Sequence, residues 1–558
     1  MATVNIYWGY SADGTTLRIS STSSSPATNL WVQDDTYAIN RDYDNMIPPW
    51  QDNSYVSQHQ TVTKLTFSGP PKPYYTYNWF SDFTSLVSPG TININMKNVI
   101  NAEGMFLNCT ALTTLAFNTT NFVISNLAYA DFMFAMCTNL SSITTTAACW
   151  TTTGNSLISA NYMFEHCVKL PALPFMKNIK TANLTEAEGI FAGVGYGQTT
   201  SPIKIDITGW DLTSLGSSSG QESSLFHYAT QVGDATSPPV QLTMKNVILG
   251  PYCDYLFFDA GGGDVAGIGE IVDIDTINTS ALQSMDNMFR DCSNNIDIDI
   301  TSWDVSNVVS AEYAFGYMYN TDCDVNINIS NLKFTDLTDG SYMFSWIRNG
   351  VNLNAENIDI SNAIQMDRMF NYSDLDLINL DNIVTSNATT SMVGMFEYSK
   401  NYYNRVAEHF NYSNVTTMKR YLADVTSIKD DVITFYWCGN LSNLNDISEL
   451  IRNNLQVKFI DITSLADSPM SKISDAFNGC TALKTIYTGG KILNWSDKIG
   501  VNVFWGCAQL VGGNGTTYNS SYVNKEYACC DLVKGNAGIT ADQKGYFSAA
   551  LTMNHCLA

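Results

Sequence analysis

Along the chain an apolar residue followed by phenylalanine returns at near-regular intervals. The pairs run from Trp79-Phe80, Met105-Phe106 and Met133-Phe134, through Met288-Phe289 and Met369-Phe370, to Ala476-Phe477 and Val503-Phe504. Two degenerate copies, Tyr421-Leu422 and Leu450-Ile451, fill the long gap between Phe396 and Phe477. With them there are about sixteen units of about 28 residues each, inside the range of stacked repeats. Before the phenylalanine, apolar residues fall roughly three apart, as in Leu282, Met285, Met288 and Phe289, which predicts one or two helical turns. After it, alternation such as Ile296-Asp297-Ile298-Asp299-Ile300 predicts a half-buried strand. A coil of this size cannot bury its own apolar side, so neighbouring coils must stack to make a core. The expected fold is one repeat solenoid, each coil a short strand plus a helical turn.

The flanks lose the period. They predict an N-terminal cap over 1–64, an array over 65–510 and a C-terminal cap and tail over 511–558, because an open array needs its outermost coils covered. Long intervals from Phe191 to Phe226 and from Phe257 to Phe289, the second with a glycine run at 261–263, predict insertions at corners.

Composition narrows the role. Charged residues make up only 14% of the chain and hydrophobic ones 45%, so Asn, Ser, Thr and Tyr must form much of the surface. With 28 Lys plus Arg against 52 Asp plus Glu, the net charge of −24 argues against a nucleic-acid partner, which needs cations to displace phosphate counterions. No apolar run reaches about 18 residues, so membrane insertion is not expected. The start, Met1 to Trp8, has neither a basic region nor an unbroken apolar stretch, and no secretory signal is expected.

Thirteen cysteines invite a metal or disulfide reading. Cys109, Cys137, Cys167, Cys292, Cys480 and Cys507 each follow a repeat phenylalanine by three residues, where other units hold Val194, Met318, Ile347 or Ser373. Valine can replace neither a zinc ligand nor half a disulfide, so the position reads as small and buried, with reduced thiols. The five histidines share no repeat position. Aligning strands on their Ile-Thr or Ile-Ser step places Asp206, Asp299, Asn328, Asp359 and Asp461 at one outward position. Such side chains keep a strand face wet. They are also the candidate binding residues, a ladder suited to hydroxyl-rich or cationic groups. No catalytic residue, metal ligand or cofactor is assigned, since among so many aspartates spacing alone selects no catalytic pair.

The units Met105-Phe-Leu-Asn-Cys-Thr-Ala-Leu-Thr-Thr-Leu115 and Ser284-Met-Asp-Asn-Met-Phe-Arg-Asp-Cys292, with Ile298-Asp-Ile-Thr-Ser-Trp-Asp-Val-Ser-Asn-Val308, resemble the BspA-type leucine-rich repeats of bacterial surface proteins. Leu65-Thr-Phe67 and Tyr77-Asn-Trp-Phe80 resemble that family's entry into the array. Leu510-Val-Gly-Gly-Asn-Gly-Thr-Thr-Tyr518 and Gly545-Tyr-Phe547 resemble its exit. The resemblance implies a non-enzymatic surface protein for adhesion and binding. Joined to the missing export signal, it leads to the expectation of a bacteriophage virion appendage or decoration protein that contacts a host-surface glycan or protein and other virion proteins. The alternatives are a bacterial cell-surface adhesin and a glycan-degrading enzyme on a solenoid scaffold.

Overall fold

A computed structural model describes residues 3–151, 157–195, 203–215, 225–226, 240–258, 268–292, 297–318, 325–385, 388–435, 441–534 and 541–549. Its internal contacts divide the chain into two units, Met1–Asp304 with Cys323–Val325, and Val305–Asp322 with Asn326–Ala558. The glycine run at 261–263 and most of the interval from Phe191 to Phe226 lie outside the described residues.

In the first unit, a four-stranded sheet in the order Asn29–Asp34, Thr3–Tyr10, Thr16–Ser20, Lys64–Ser68 precedes the repeats. Behind it Trp50 meets Trp31 at 5.4 Å and Trp79 at 5.3 Å between ring centroids, and the Trp50 indole N–H donates to the Trp79 carbonyl at 2.6 Å. This flank therefore sits on the first repeat turn. From there strands pair in parallel, as Thr91–Ile92, Thr114–Phe117 and Ser142–Thr144 do, and then Ala172–Leu173, Ile203–Asp206, Val240–Thr243 and Ile268–Val272. In the second unit the parallel set Val432–Thr434, Phe459–Asp461, Thr485–Tyr487 ends on Phe547–Ser548. A separate column of single parallel bridges links Asp339, Gln365, Ser391, Thr417, Asp446, Lys472 and Ile499, each partner 26 to 29 residues after the last. Each unit is thus a stack of short coils, with strands alternating buried and outward side chains as in Val325–Asn328.

Among the described residues the segment around each repeat phenylalanine is not helical, which corrects the sequence expectation. The amides of Ala102, Gly104, Phe106 and Asn108 donate to carbonyls of the next coil, at Tyr129, Asp131, Met133 and Ala135. The intervening amides of Met105, Leu107 and Cys109 donate three residues back, to Ala102, Gly104 and Phe106. Left-handed backbone at Gly104 (φ 60°) and Asn108 (φ 59°) prevents right-handed turns from accumulating into a helix. Successive tight turns also return every third residue to the core, so the apolar spacing of three arises without a helix. Among the described residues the α-helices are Asp35–Ile39, Tyr43–Met46, Val56–Thr61 and Asn404–Glu408, and none carries a repeat phenylalanine.

The phenylalanines stack along each unit. Phe106 lies 5.9 Å from Phe134 and Phe134 5.3 Å from Phe164; Phe344, Phe370 and Phe396 follow at 5.7 and 5.4 Å, and all are buried. The degenerate copies keep their places: the Phe396 amide donates to the Tyr421 carbonyl, and the Leu422 amide to that of Leu450.

The repeat-position thiols have a further role beyond small size. Cys109, Cys137, Cys167 and Cys292 donate to the carbonyls of Phe80, Phe106, Phe134 and Phe257 in the coil before, and Cys480 and Cys507 to those of Ile451 and Phe477, at 2.8 to 3.2 Å. Ser373 donates in the same way to the Phe344 carbonyl at 2.6 Å. All six cysteines are buried and free of disulfides. Burial raises the Cys109, Cys167 and Cys480 thiols well above their ordinary range and pushes Cys507 up to about 12. Only the thiolate is nucleophilic. Titration of the native chain with an aromatic disulfide at pH 8 should therefore leave these six unreacted until denaturant is added, and disulfide-linked peptides among them would contradict the structure.

Candidate functional site

Among the described residues, each repeat turn places one residue two positions after its phenylalanine in left-handed backbone. Met136 and His166 occupy this slot with φ of 61° and 54°, and elsewhere it holds Asp82, Asn108, Asp291, Asp424 and Asn453 or Gly193, Gly479 and Gly506, with φ of 57° to 80°. Aspartate, asparagine and glycine tolerate left-handed backbone best, whereas for most others it costs about 1–2 kcal/mol. In four coils of the second unit the slot instead holds Tyr317, Trp346, Tyr372 and Tyr398, with φ of 58° to 60°. Their rings stack at 5.3, 4.3 and 4.4 Å with interplanar angles of 10°, 17° and 15°. Such pairs are worth about 0.5–1.5 kcal/mol each, which offsets part of the backbone strain. The rings cover one another's faces and all four residues are half-buried, so the row presents ring edges and phenol hydroxyls outward. Burial, then the neighbouring Tyr398 and Glu397, raises the Tyr372 phenol above its ordinary range and keeps it a donor. A parallel stack of Tyr313 on Tyr342, at 4.4 Å, lies two residues before the phenylalanines.

Arg348 borders the row. Its guanidinium carbon lies 4.6 Å from the Trp346 ring centroid and 5.5 Å from that of Tyr372, and its Nε donates to the Tyr372 carbonyl at 3.1 Å. Beside it a cavity of about 280 Å³ is lined by Arg348, Asn349, Tyr372, Tyr398, Lys400 and Thr426, with Asp374 at its wall. Asp374 is engaged: Lys400 Nζ lies 3.1 Å from its Oδ2, while its Oδ1 accepts from the Asn401 amide at 2.7 Å and the Asp376 backbone at 3.2 Å.

The aromatic row was missed in the strand-based reading of the sequence, yet it has a signal. Once the phenylalanines are aligned, Phe-x-Tyr or Phe-x-Trp occurs on four consecutive coils at 315–317, 344–346, 370–372 and 396–398, and once more at 226–228, where Tyr228 lies outside the described residues.

The five strand residues do not form one acidic column. Asp206, Asp299, Asn328 and Asp461 end strands of the coil stacks, where each accepts through Oδ1 from the backbone amide two residues on, at Thr208, Thr301, Ser330 and Thr463. Asp359 makes the same bond to Ser361, but its strand Asp359–Ile360 pairs with Val384–Thr385 in a separate ladder. The true counterpart in that coil is Asn354, whose amide donates to Asn328 at 3.2 Å and which accepts from Asn379 at 3.1 Å. The neighbours in register break the charge too: Asp206 pairs with Thr243, and Asp461 lies between Thr434 and Tyr487. Asp206 further meets Lys177 Nζ at 2.7 Å. The shared feature is a turn that caps the strand, which aspartate and asparagine form equally well.

In the first unit, Arg41 reaches from the N-terminal flank to Glu103, to Asp131 at 3.0 Å and to Glu186 at 3.7 Å, on three coils of which the last two are separated by the coil of Ser159. Burial, opposed by the Ser159 hydrogen bond and reinforced by Glu103, pushes Asp131 up to about 6. The cluster is internally paired and ties the flank to the stack. His59 packs on Phe83, His166 lies 3.6 Å from Glu165, and His227 and His555 fall outside the described residues. Among the described residues no three His, Cys, Asp or Glu side chains converge to hold a metal, and no helix is long and apolar enough to cross a membrane.

Three segments, 76–210, 266–381 and 372–489, match the family described as "Mycoplasma protein of unknown function, DUF285". A crystal structure of a leucine rich cell surface protein from Faecalibacterium prausnitzii A2-165 aligns over 86% of this chain and 92% of its own, with 12% identity and a TM-score of 0.20. No curated protein matches the chain. Because the matched segments, set within Phe-centred coils, together span more than half of its length, the chain belongs to the DUF285 family.

Proposed function

We propose that this chain is a non-enzymatic, surface-displayed binding protein built as a leucine-rich-repeat solenoid, and that the turn face carrying Tyr317, Trp346, Tyr372 and Tyr398 is its contact surface. The observation that carries this reading is a run of four large aromatics on consecutive coils at a slot that the other described coils fill mostly with Asp, Asn or Gly, Met136 and His166 apart, since stacking alone needs no half-exposed Tyr or Trp in left-handed backbone. A row repeated over several coils sums weak contacts into avidity. Surface display rests on the resemblance of the Met-Phe-x-x-Cys units to BspA-type repeats. Immunogold labelling of intact cells beside purified virions distinguishes a cell-surface site from a virion site.

Replacing the four aromatics with asparagine relieves strain as it removes stacking, so the fold should hold and its melting temperature should move by only a few degrees. Retention of the labelled full chain on intact bacterial cells, read by flow cytometry, should fall at least about tenfold. Equal retention of parent and variant would move the contact surface elsewhere. A companion variant with Ser at Asp206, Asp299, Asn328, Asp359 and Asp461 keeps a turn-forming side chain at each strand end and reads any share those residues take in binding.

A further inference from the structure

We infer that the cavity beside Arg348 binds the carboxylate-bearing sugar of an acidic glycan, an inference that rests on the contact-surface reading above and names its ligand class. Of the eight arginines, Arg41, Arg290, Arg368, Arg405, Arg420 and Arg452 each lie against a carboxylate. Among the described residues Arg348 meets none, although the chain carries 52 acidic side chains; Arg18 meets none either, but its guanidinium donates to the Ser25 carbonyl and it lines no described cavity. It is nevertheless held in place: Trp346 and Tyr372 pack against its guanidinium and the Tyr372 carbonyl takes its Nε–H. The terminal nitrogens of the fork are left for an acceptor, and a planar guanidinium matches a carboxylate through two parallel hydrogen bonds. Fixing the fork beforehand removes much of the ordering cost of binding.

The rest of the cavity is suited to a sugar. Lys400 adds a second cation, so the lining carries two cations against the one carboxylate of Asp374, whose oxygens already accept from the Asn401 amide and the Asp376 backbone. Asn349 and Thr426 are exposed and offer uncharged groups to sugar hydroxyls, and Tyr372 and Tyr398 supply ring edges and phenols. A volume of about 280 Å³ lies near the lower end of ordinary small-ligand sites and suits one or two sugar rings. An acidic peptide could also meet Arg348 and Lys400, but one fork and one ammonium beside four neutral hydrogen-bonding groups match a single anion on a hydroxyl-rich carrier better than a run of carboxylates.

The test uses the full chain, with tetragalacturonate and sialyllactose as acidic probes, maltotetraose and lactose as neutral counterparts, and tetraglutamate as the peptide, by calorimetry and saturation-transfer NMR. At least one acidic sugar should bind, its neutral counterpart at least about tenfold more weakly. Arg348→Gln should lower that affinity at least about tenfold, and Arg348→Lys, which keeps the charge but loses the fork, should fall between; thermal melts establish that both variants fold. The inference is overturned if neither acidic sugar binds, if Arg348→Gln binds like the parent, if neutral sugars bind as well, or if tetraglutamate binds as tightly as the sugars. Because Arg348→Gln leaves the aromatic row in place, unchanged cell retention by this variant sinks the acidic-glycan assignment while the contact-surface reading stands. Unchanged retention by the four-asparagine variant sinks that reading itself.

Discussion

Phe370→Ala should destabilise the second unit by about 3 to 5 kcal/mol, the range for a buried aromatic that leaves a cavity. Phe370 is fully buried, stacked between Phe344 and Phe396, with Phe410 edge-on at 5.9 Å. The rings on both sides keep their own backbone places, because the Phe344 amide is tied to the Met369 carbonyl and the Phe370 amide to that of Met395. They cannot close the gap without breaking these bonds, so little of the cavity collapses. The loss should also be local, since each coil touches only its neighbours. Hydrogen exchange should speed up most across residues 340–400 and leave the N-terminal sheet at its parent rate. An even rise along the whole chain would instead mean a single cooperative globule.

That ladder was legible because phenylalanine is conspicuous and its spacing survives substitution, even where Tyr421-Leu422 and Leu450-Ile451 replace it. What spacing could not disclose was where the amides go. An apolar residue every third position fits a helix and a chain of tight turns alike, and only the bonds from Phe106 to Met133 and from Asn108 to Ala135 decide between them. The acidic column failed for a related reason. The same strand-end turn is used on two ladders, by Asp461 on one and Asp359 on the other, so the local motif does not specify its ladder. Asn354, the residue that belongs beside Asn328, is followed by Ala355 and Glu356 and lacks the Ile-Ser step used for alignment. The cysteine position was read as small and buried, and it is both. Its bond to the preceding coil follows from three-dimensional stacking and has no one-dimensional trace.

Arg420→Met should cost about 3 kcal/mol, although a stack of apolar coils would ordinarily welcome an apolar side chain. Arg420 pairs with Glu397 and Glu449 and lies 3.2 Å from Asp424, bridging acids from its own coil and both neighbours. Glu397 is only 5% exposed at its side chain, and its remaining cation, Arg368, is 3.4 Å away. Glu449 keeps Arg452 at 2.6 Å, so the damage should concentrate on Glu397. Removing one member of a buried ion pair leaves a charge that has lost both water and partner, which is costlier than never burying the pair. The double variant Arg420→Met with Glu397→Gln should therefore recover much of the stability, and a double-mutant cycle from chemical denaturation measures the coupling. Coupling near zero, with the two losses simply adding, would mean that the arginine acts through its aliphatic packing and not as the electrostatic tie between three coils.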